Sequence, residues 1–371
     1  MKNSTNKLLK LYQNTIDSLL HNFEMSLRRG NVIEQEVFLL KNLLKAFESA
    51  KKLRGEFRYS LQEEYIKQKI AEWEQAQPML SPRQQQFDFE KFTVIDAKEI
   101  EEIYSVFNNK MNRAEKGIGR QVKEWFKKEQ KNLTNLTNKS VRDHMTSRFM
   151  GKTKEEAIID LTKDLKDNIY FKLLDKNENP LKMKIDSYAK LSLNTMLQQT
   201  LNRATINTVK QLESDLVIFS KHFWTCESCA KYAEGRVYSI DRKNKEYPYL
   251  YDTVPGFNKG YSSIHPNCKH RLSGYFETGR TKEEIERIKK HSGNHKDNRR
   301  DKDKEQYEIK QKLNILNARK RALEIDLNIL KGAKKTLETV KQVNTLTMRL
   351  KKVKSNIQVL NLRLKELIKK H

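Results

Sequence analysis

The sequence predicts a mainly α fold: a long helical N-terminal region, one small α+β module and C-terminal coiled-coil helices. Three observations lead there. Half of the six prolines and five of the twelve glycines lie between Gly235 and Gly279, with no proline before Pro78 and none from Thr281 onward. Gly and Pro punctuate structure, so the flanks read as long helices and this stretch as a loop-rich module. The last ~70 residues repeat apolar side chains at alternating steps of three and four, the phase of a coiled coil. All three cysteines, Cys226, Cys229 and Cys268, fall within 43 residues of one another.

Composition narrows the possibilities further. The 371 residues include 74 Lys+Arg against 48 Asp+Glu, a formal charge of +26, with 33% charged and 37% apolar residues. That apolar share is low for one large enzyme-like α/β core. No stretch approaches the ~18 uninterrupted apolar residues of a spanning helix. Lys7, Lys10 and Asp17 interrupt the N-terminus, so a signal peptide's apolar region is not expected. The positive charge points to a polyanion, most simply nucleic acid, or else to a Lys-rich solvated helical surface.

Along residues 1–75, Leu8, Tyr12, Ile16, Leu19 and Phe23 recur at helical spacing. Gly30 separates them from Val37, Leu40, Leu44 and Phe47, so two or three antiparallel helices are expected. The run 75–86 (QAQPMLSPRQQQ) reads as a linker or turn. Helices resume over 87–181, where Thr153-Lys154-Glu155-Glu156 has capping-box form and Pro180 ends the block. Gly151-Lys152-Thr153 resembles the end of a phosphate loop, but Thr146 stands where the pattern needs Gly. A helix from Tyr188 to about Val217 precedes the strand formers Leu216–Phe219 and His222-Phe223-Trp224, which lead into the cysteines.

The module is expected over 188–280, and Ser292-Gly293-Asn294 marks a break after it. Over 301–371, Val343, Leu346, Leu350, Val353, Ile357, Leu360, Leu364 and Leu367 follow heptad steps. Ile309, Leu313, Leu316, Leu323, Leu327 and Leu330 share that phase, with Lys320 on the seam and Gly332 between the runs. Gly332 permits an antiparallel hairpin or a mild kink. Residues 331–371 carry 12 basic and 2 acidic side chains. Such a tail is either a charged outer face on an oligomerising helix or a basic helix along nucleic acid, with Lys334, Lys335, Lys351, Lys352, Lys354 and Arg363 as candidate contacts.

Cys226-Glu-Ser-Cys229 and His265-Pro-Asn-Cys268 form C-x2-C…H-x2-C with 35 residues between the pairs. Each pair sits on a tight turn, so both can face one ion and close a tetrahedron of three thiolates and one imidazole. Such a set leaves no open position, the mark of a structural zinc. His270, two residues past Cys268, is the alternative fourth ligand. Reduced cysteines without a metal are the competing reading. Tyr238, Tyr247, Tyr249 and Tyr251 either stack on bases or, as favoured here, pack around the metal site. Asp241, Glu227 and Glu234 stand singly and offer no paired carboxylates.

The strings Cys226-x-x-Cys229, Glu234-Gly-Arg-Val-Tyr-Ser-Ile240 and Ser263-Ile-His-Pro-Asn-Cys-Lys-His270 resemble the minor capsid (head morphogenesis) proteins of tailed bacteriophages. That group includes the Mu F-like and minor capsid protein 2-like domains. Tyr188-Ala-Lys190, Asn202-Arg-Ala204 and Asp215-Leu-Val217 extend the likeness, which covers about Tyr188 to Phe276 and leaves the coiled-coil tail outside. Asn194-Thr195 stands where those proteins usually carry Arg-Thr, so no role of that Arg carries over.

The resemblance implies a structural virion protein near the portal, assisting head assembly, DNA packaging or ejection. It would lie inside the head, and in the host cytoplasm during assembly. Implied partners are the portal, the major capsid or scaffolding proteins and phage double-stranded DNA; the coiled coil adds possible self-association. The alternative is a nuclease or toxin-like enzyme using His265, His270, His291 and His295 as acid/base groups. No defensible catalytic constellation supports it, so no enzyme is expected.

Overall fold

The structure, a computed structural model, describes residues 2–80, 94–137, 154–174, 180–222, 225–331 and 337–369. Eleven α-helices and five short strands are found among them, so the protein is mainly helical. Residues 2–76 form two helices, α1 (Lys2–Arg29) and α2 (Val32–Ala76), broken at Gly30, whose φ of 79° suits glycine. A short 3-10 turn, Gln77–Met79, follows with Pro78 near its start. The rest of the expected linker, and the capping box at Thr153, lie outside the described residues.

Next come α3 (Val94–Thr137) and α4 (Lys154–Asn168). The helical expectation for 87–181 needs a correction, because β1 (Phe171–Leu174) and β2 (Pro180–Met183) pair as an antiparallel hairpin. Pro180 begins a strand there. Its four-residue strands are too short to display a clear period of two.

The chain forms two compact units, each built from three separated stretches. One comprises Met1–Thr5, Leu53–Lys110 and Ala189–Tyr307; the other comprises Asn6–Lys52, Met111–Tyr188 and Glu308–His371.

In the second unit, Phe23 of α1 packs edge-on against Trp125 and Phe126 of α3, with ring centroids 5.3 and 5.6 Å away. Trp125 Nε1 donates to Asp164 of α4 at 2.7 Å. Arg28 bridges Glu24 and Glu155. Helices α10 (Asp301–Lys331) and α11 (Leu337–Lys369) pack along their apolar seams. Ile309 and Leu313 meet Leu364 and Leu367, while Leu323 and Leu327 meet Leu350 and Val353. Early residues of α10 thus meet late residues of α11, which makes the pair antiparallel. Gly332 itself lies outside the described residues.

In the first unit, α5 (Ile185–Gln211) backs a three-stranded antiparallel sheet. Its order is β4 (Val237–Ser239), β3 (Leu216–Phe219), β5 (Leu272–Gly274). Ile206 and Val209 of α5 share one apolar cluster with Val217, Phe219, Cys229, Tyr238, Phe257 and Leu272. Short helices α6 (Glu227–Tyr232), α7 (Leu250–Thr253) and α8 (Pro255–Asn258) fill the connections, and α9 (Lys282–Gly293) follows. A capping box starts α9: Thr281 Oγ1 accepts from Glu284 N, and the Glu284 carboxylate accepts from Thr281 N. Of the strand formers after β3, His222 is outside any strand, and Phe223 and Trp224 lie outside the described residues.

A buried polar network ties α2, α3 and α5 together. Lys69 Nζ donates to Asp96 at 3.0 Å, and Tyr65 donates to the same carboxylate. Asn207 of α5 donates to Tyr65 and Glu99 at 2.7 and 2.8 Å. Burial, then the hydrogen bond to Asp96, pushes the Tyr65 phenol up.

Asp215, just before β3, organises the loop after β4. Its carboxylate accepts from Ser239 Oγ, Ile240 N, Asp241 N and Asn244 N at 2.6–3.1 Å. Asp215→Asn turns an NH2 group toward these donors and strands at least one of them. The expected cost is about 2 kcal/mol, read as a lower denaturant midpoint at unchanged slope.

Candidate metal centre

The first ligand pair is set by a helix start. Cys226 is the N-cap of α6, and its Sγ accepts from Cys229 N at 3.4 Å. This turns both thiols to one side. Arg236, fully buried, locks the helix by donating to Ala230 O at 2.7 Å and Ala233 O at 3.2 Å. Its other donors reach Asn294 O and Lys296 O. Sequence alone gives no reason to expect a buried arginine there.

The second pair is held by the polar face of α5. Asn202 donates to Ser262 O at 2.8 Å and accepts from Leu272 N at 3.0 Å. Gln198 donates to His270 O at 2.9 Å. Asn194 donates to the Asn267 side chain, and Thr195 Oγ1 accepts from Asn267 N, both at 2.9 Å. Asn267 has φ 58°, a conformation that Asn tolerates better than most residues. The Asn194-Thr195 pair, a departure from the expected Arg-Thr, therefore anchors the His265–Cys268 turn.

These supports bring the expected ligands together. His265 Nε2 lies 3.2 Å from Cys226 Sγ and 3.0 Å from Cys229 Sγ. Cys229 Sγ and Cys268 Sγ are 3.6 Å apart, and His270 Nδ1 is 3.7 Å from Cys268 Sγ. Two overlapping trios, Cys226/Cys229/His265 and Cys229/Cys268/His270, each have all ligand atoms within 4.8 Å. Bonds of ~2.3 Å to sulfur at tetrahedral angles imply S–S edges of about 3.8 Å. The donor chemistry and spacing therefore fit a metal ion. Cys229, 2% exposed, belongs to both trios.

Protonation follows the same geometry. A hydrogen bond from Cys229, then one from His265, pulls Cys226 down to about 4. Cys268 falls to about 4 through Cys229 and then His270. Cys229, bonded to both, is pushed up and keeps its proton. His265 rises to about 9 beside Cys226. Burial lowers His270, but Cys268 and Glu234 outweigh it and raise it to about 9. Bound metal would take the place of these protons.

Glu234 is the functional neighbour that sequence reasoning missed. Its carboxylate accepts from His270 Nε2 at 2.7 Å and from Thr225 Oγ1. Such a carboxylate fixes the orientation of an imidazole beside a metal. Nothing in the local sequence marks this, because Glu234 is 36 residues from His270.

The other candidates do not converge on chemistry. His291 Nε2 bonds Glu234 O at 3.0 Å, and His295 stacks on Tyr238 at 6.3 Å. Tyr238 and Tyr247 are buried, donating to Tyr232 O and Glu277. Tyr249 and Tyr251 pack together at 5.5 Å, so the four tyrosines are packing residues. On α11, Lys351, Lys352, Lys354 and Arg363 are exposed, with Arg363 3.7 Å from Glu366. Lys334 and Lys335 lie outside the described residues.

A family model described as phage minor capsid protein 2 matches residues 38–368. The match runs far past the quarter of the chain that carried the resemblance, and includes the C-terminal helices. A structural protein of Lactococcus phage LL-H is 30% identical over 131 residues, 34% of this chain and 34% of that protein. The match thus spans about a third of that relative's length. No solved structure matches. Among the described residues no helix is long and apolar enough to cross a membrane.

Proposed function

The chain belongs to the phage minor capsid protein 2 family, and we propose that it is a head component seated near the portal and the packaged DNA. There it assists head assembly, DNA packaging or ejection. The observation that carries this reading is the family match over 38–368. The cluster of thiols and imidazoles agrees with it, because a closed set of four such ligands would stabilise and leave no coordination position for substrate. The family is one of structural capsid proteins, which supports a non-enzymatic role. Its place is inside the virion head, with the host cytoplasm as the site of assembly, and its contacts are the portal, the major capsid or scaffolding proteins and double-stranded DNA. Mass spectrometry of purified particles tests this. Detection in DNA-filled heads is expected, and absence from procapsids and mature virions alike would refute it.

Within this reading, zinc is the resident ion, held by Cys226, Cys229, Cys268 and His265. It supplies a cross-link between α6 and the turn before β5. Glu234 holds His270, whose Nδ1 faces the Cys268 thiolate. His265→Ala then reduces zinc to well under one equivalent, whereas His270→Ala retains it with affinity lowered about 10–100-fold. Competition with a chromophoric chelator separates the two. The reverse order of effects would make His270 the fourth ligand.

The antiparallel α10–α11 pair is proposed as a coiled coil, and its exposed Lys351, Lys352, Lys354 and Arg363 as DNA contacts. Replacing the three lysines by Gln should lower the slope of log affinity against log salt by up to about 3.

A further inference from the structure

Beside the metal centre the first unit contains a cleft of about 380 Å³ that the reading above does not use. Lys221, His222, Glu234, His291, Arg299 and Arg300 are among its lining residues. Among its described lining residues Ala230 is the one aliphatic side chain, and most of the others are polar or charged. Its lining includes four Lys or Arg against Glu234 and Asp303. Glu234 is engaged by His270 and Thr225. Arg236 is spent on backbone carbonyls, and Arg299 is held by Asp297 at 2.7 Å.

Of these cations, Lys221 and Arg300 are the exposed ones. Arg300 keeps 64% of its side chain exposed, with Asp303 as partner at 2.9 Å. Lys221 makes no ion pair among the described residues. Its stem crosses Gly235, where a Cβ would come within 2.5 Å of Lys221 Cε; glycine leaves that path open. A compact oxyanion with several acceptor oxygens, such as a phosphate group, fits such a site.

We propose that this cleft seats a backbone phosphate of double-stranded DNA, contacted by Lys221 and Arg300. The proposal rests on the reading of the chain as DNA-associated and adds a second contact region, apart from the C-terminal helix. The chain's charge of +26 supplies the long-range attraction, and the cleft supplies a fixed point of contact.

The test uses the full chain and a short mixed-sequence DNA duplex, with anisotropy titrations between about 50 and 200 mM salt. A Lys221→Gln/Arg300→Gln variant is expected to bind about tenfold more weakly, with a salt slope lower by about 2. Circular dichroism and metal content should be unchanged. Lys221→Arg, which keeps the charge, should retain wild-type binding. If the wild type binds and the double variant matches it in affinity and slope, the cleft contact is overturned while DNA association through the tail stands. If the wild type does not bind DNA at all, the DNA reading and the cleft fall together. Thermal stabilisation by inorganic phosphate, lost in a double variant whose DNA binding is intact, would identify a free-anion site and also overturn the proposal.

Discussion

Cys229→Ser is expected to strip the chain of its metal and open the module around it. The residue is 2% exposed and belongs to both donor trios, so neither trio survives its loss. Serine keeps the size but removes the soft thiolate that a zinc site requires. Apparent binding energies of structural zinc are about 10 kcal/mol or more in small domains, and that energy is folding energy. Here α6, the Ser262–Leu272 segment and the sheet share one cluster, in which Cys229 and Cys268 are themselves core residues. The variant should carry less than about a tenth of an equivalent of zinc. Limited proteolysis should cut between residues 225 and 276 at least about tenfold faster than in the wild type, while the long helices keep their far-ultraviolet signal. Full metal content with wild-type protease resistance would remove the metal from the account.

Gly256→Ala should be nearly as damaging, for a steric reason. A Cβ at this position would lie 1.7 Å from Ser263 O and 2.7 Å from Ile264 O. Both are backbone atoms, so no rotamer change relieves the clash. The opposing segment cannot retreat either, since Asn202 grips Ser262 O and Thr195 grips Asn267 N on either side. Any displacement passes directly to His265. The expected loss is about 3 kcal/mol, accompanied by weaker metal binding, measured by thermal unfolding with and without added zinc. Gly260→Ala is the control. That glycine has φ 78° but nothing within 4 Å of its would-be Cβ, so only a backbone penalty of about 1 kcal/mol applies. Equal costs for the two substitutions would show that crowding at Gly256 is not what couples it to the site.

The long helices and the ligand strings were legible in the sequence because both are written in local spacing. Leu8 to Phe23 carries the helical period, Gly30 supplies the break, and the two x2 turns declare the donor pairs. The supports were not legible. Asn194, Thr195, Gln198 and Asn202 are ordinary polar residues on a helix until the fold lays Ser262–Leu272 across them. Glu234 reads as an isolated acid and Asp215 only as part of a family-like string, yet each organises groups tens of residues away. The β1–β2 hairpin escaped because its strands are four residues long. The compact units escaped linear reading too, since each gathers three separated stretches of chain.

The most direct test of the metal-stapled module is zinc K-edge X-ray absorption on the full-length chain, purified without chelator. The account predicts one zinc per chain with three sulfur neighbours at about 2.3 Å and one nitrogen at about 2.0–2.1 Å. A folded chain free of zinc after expression in zinc-supplemented medium would contradict it.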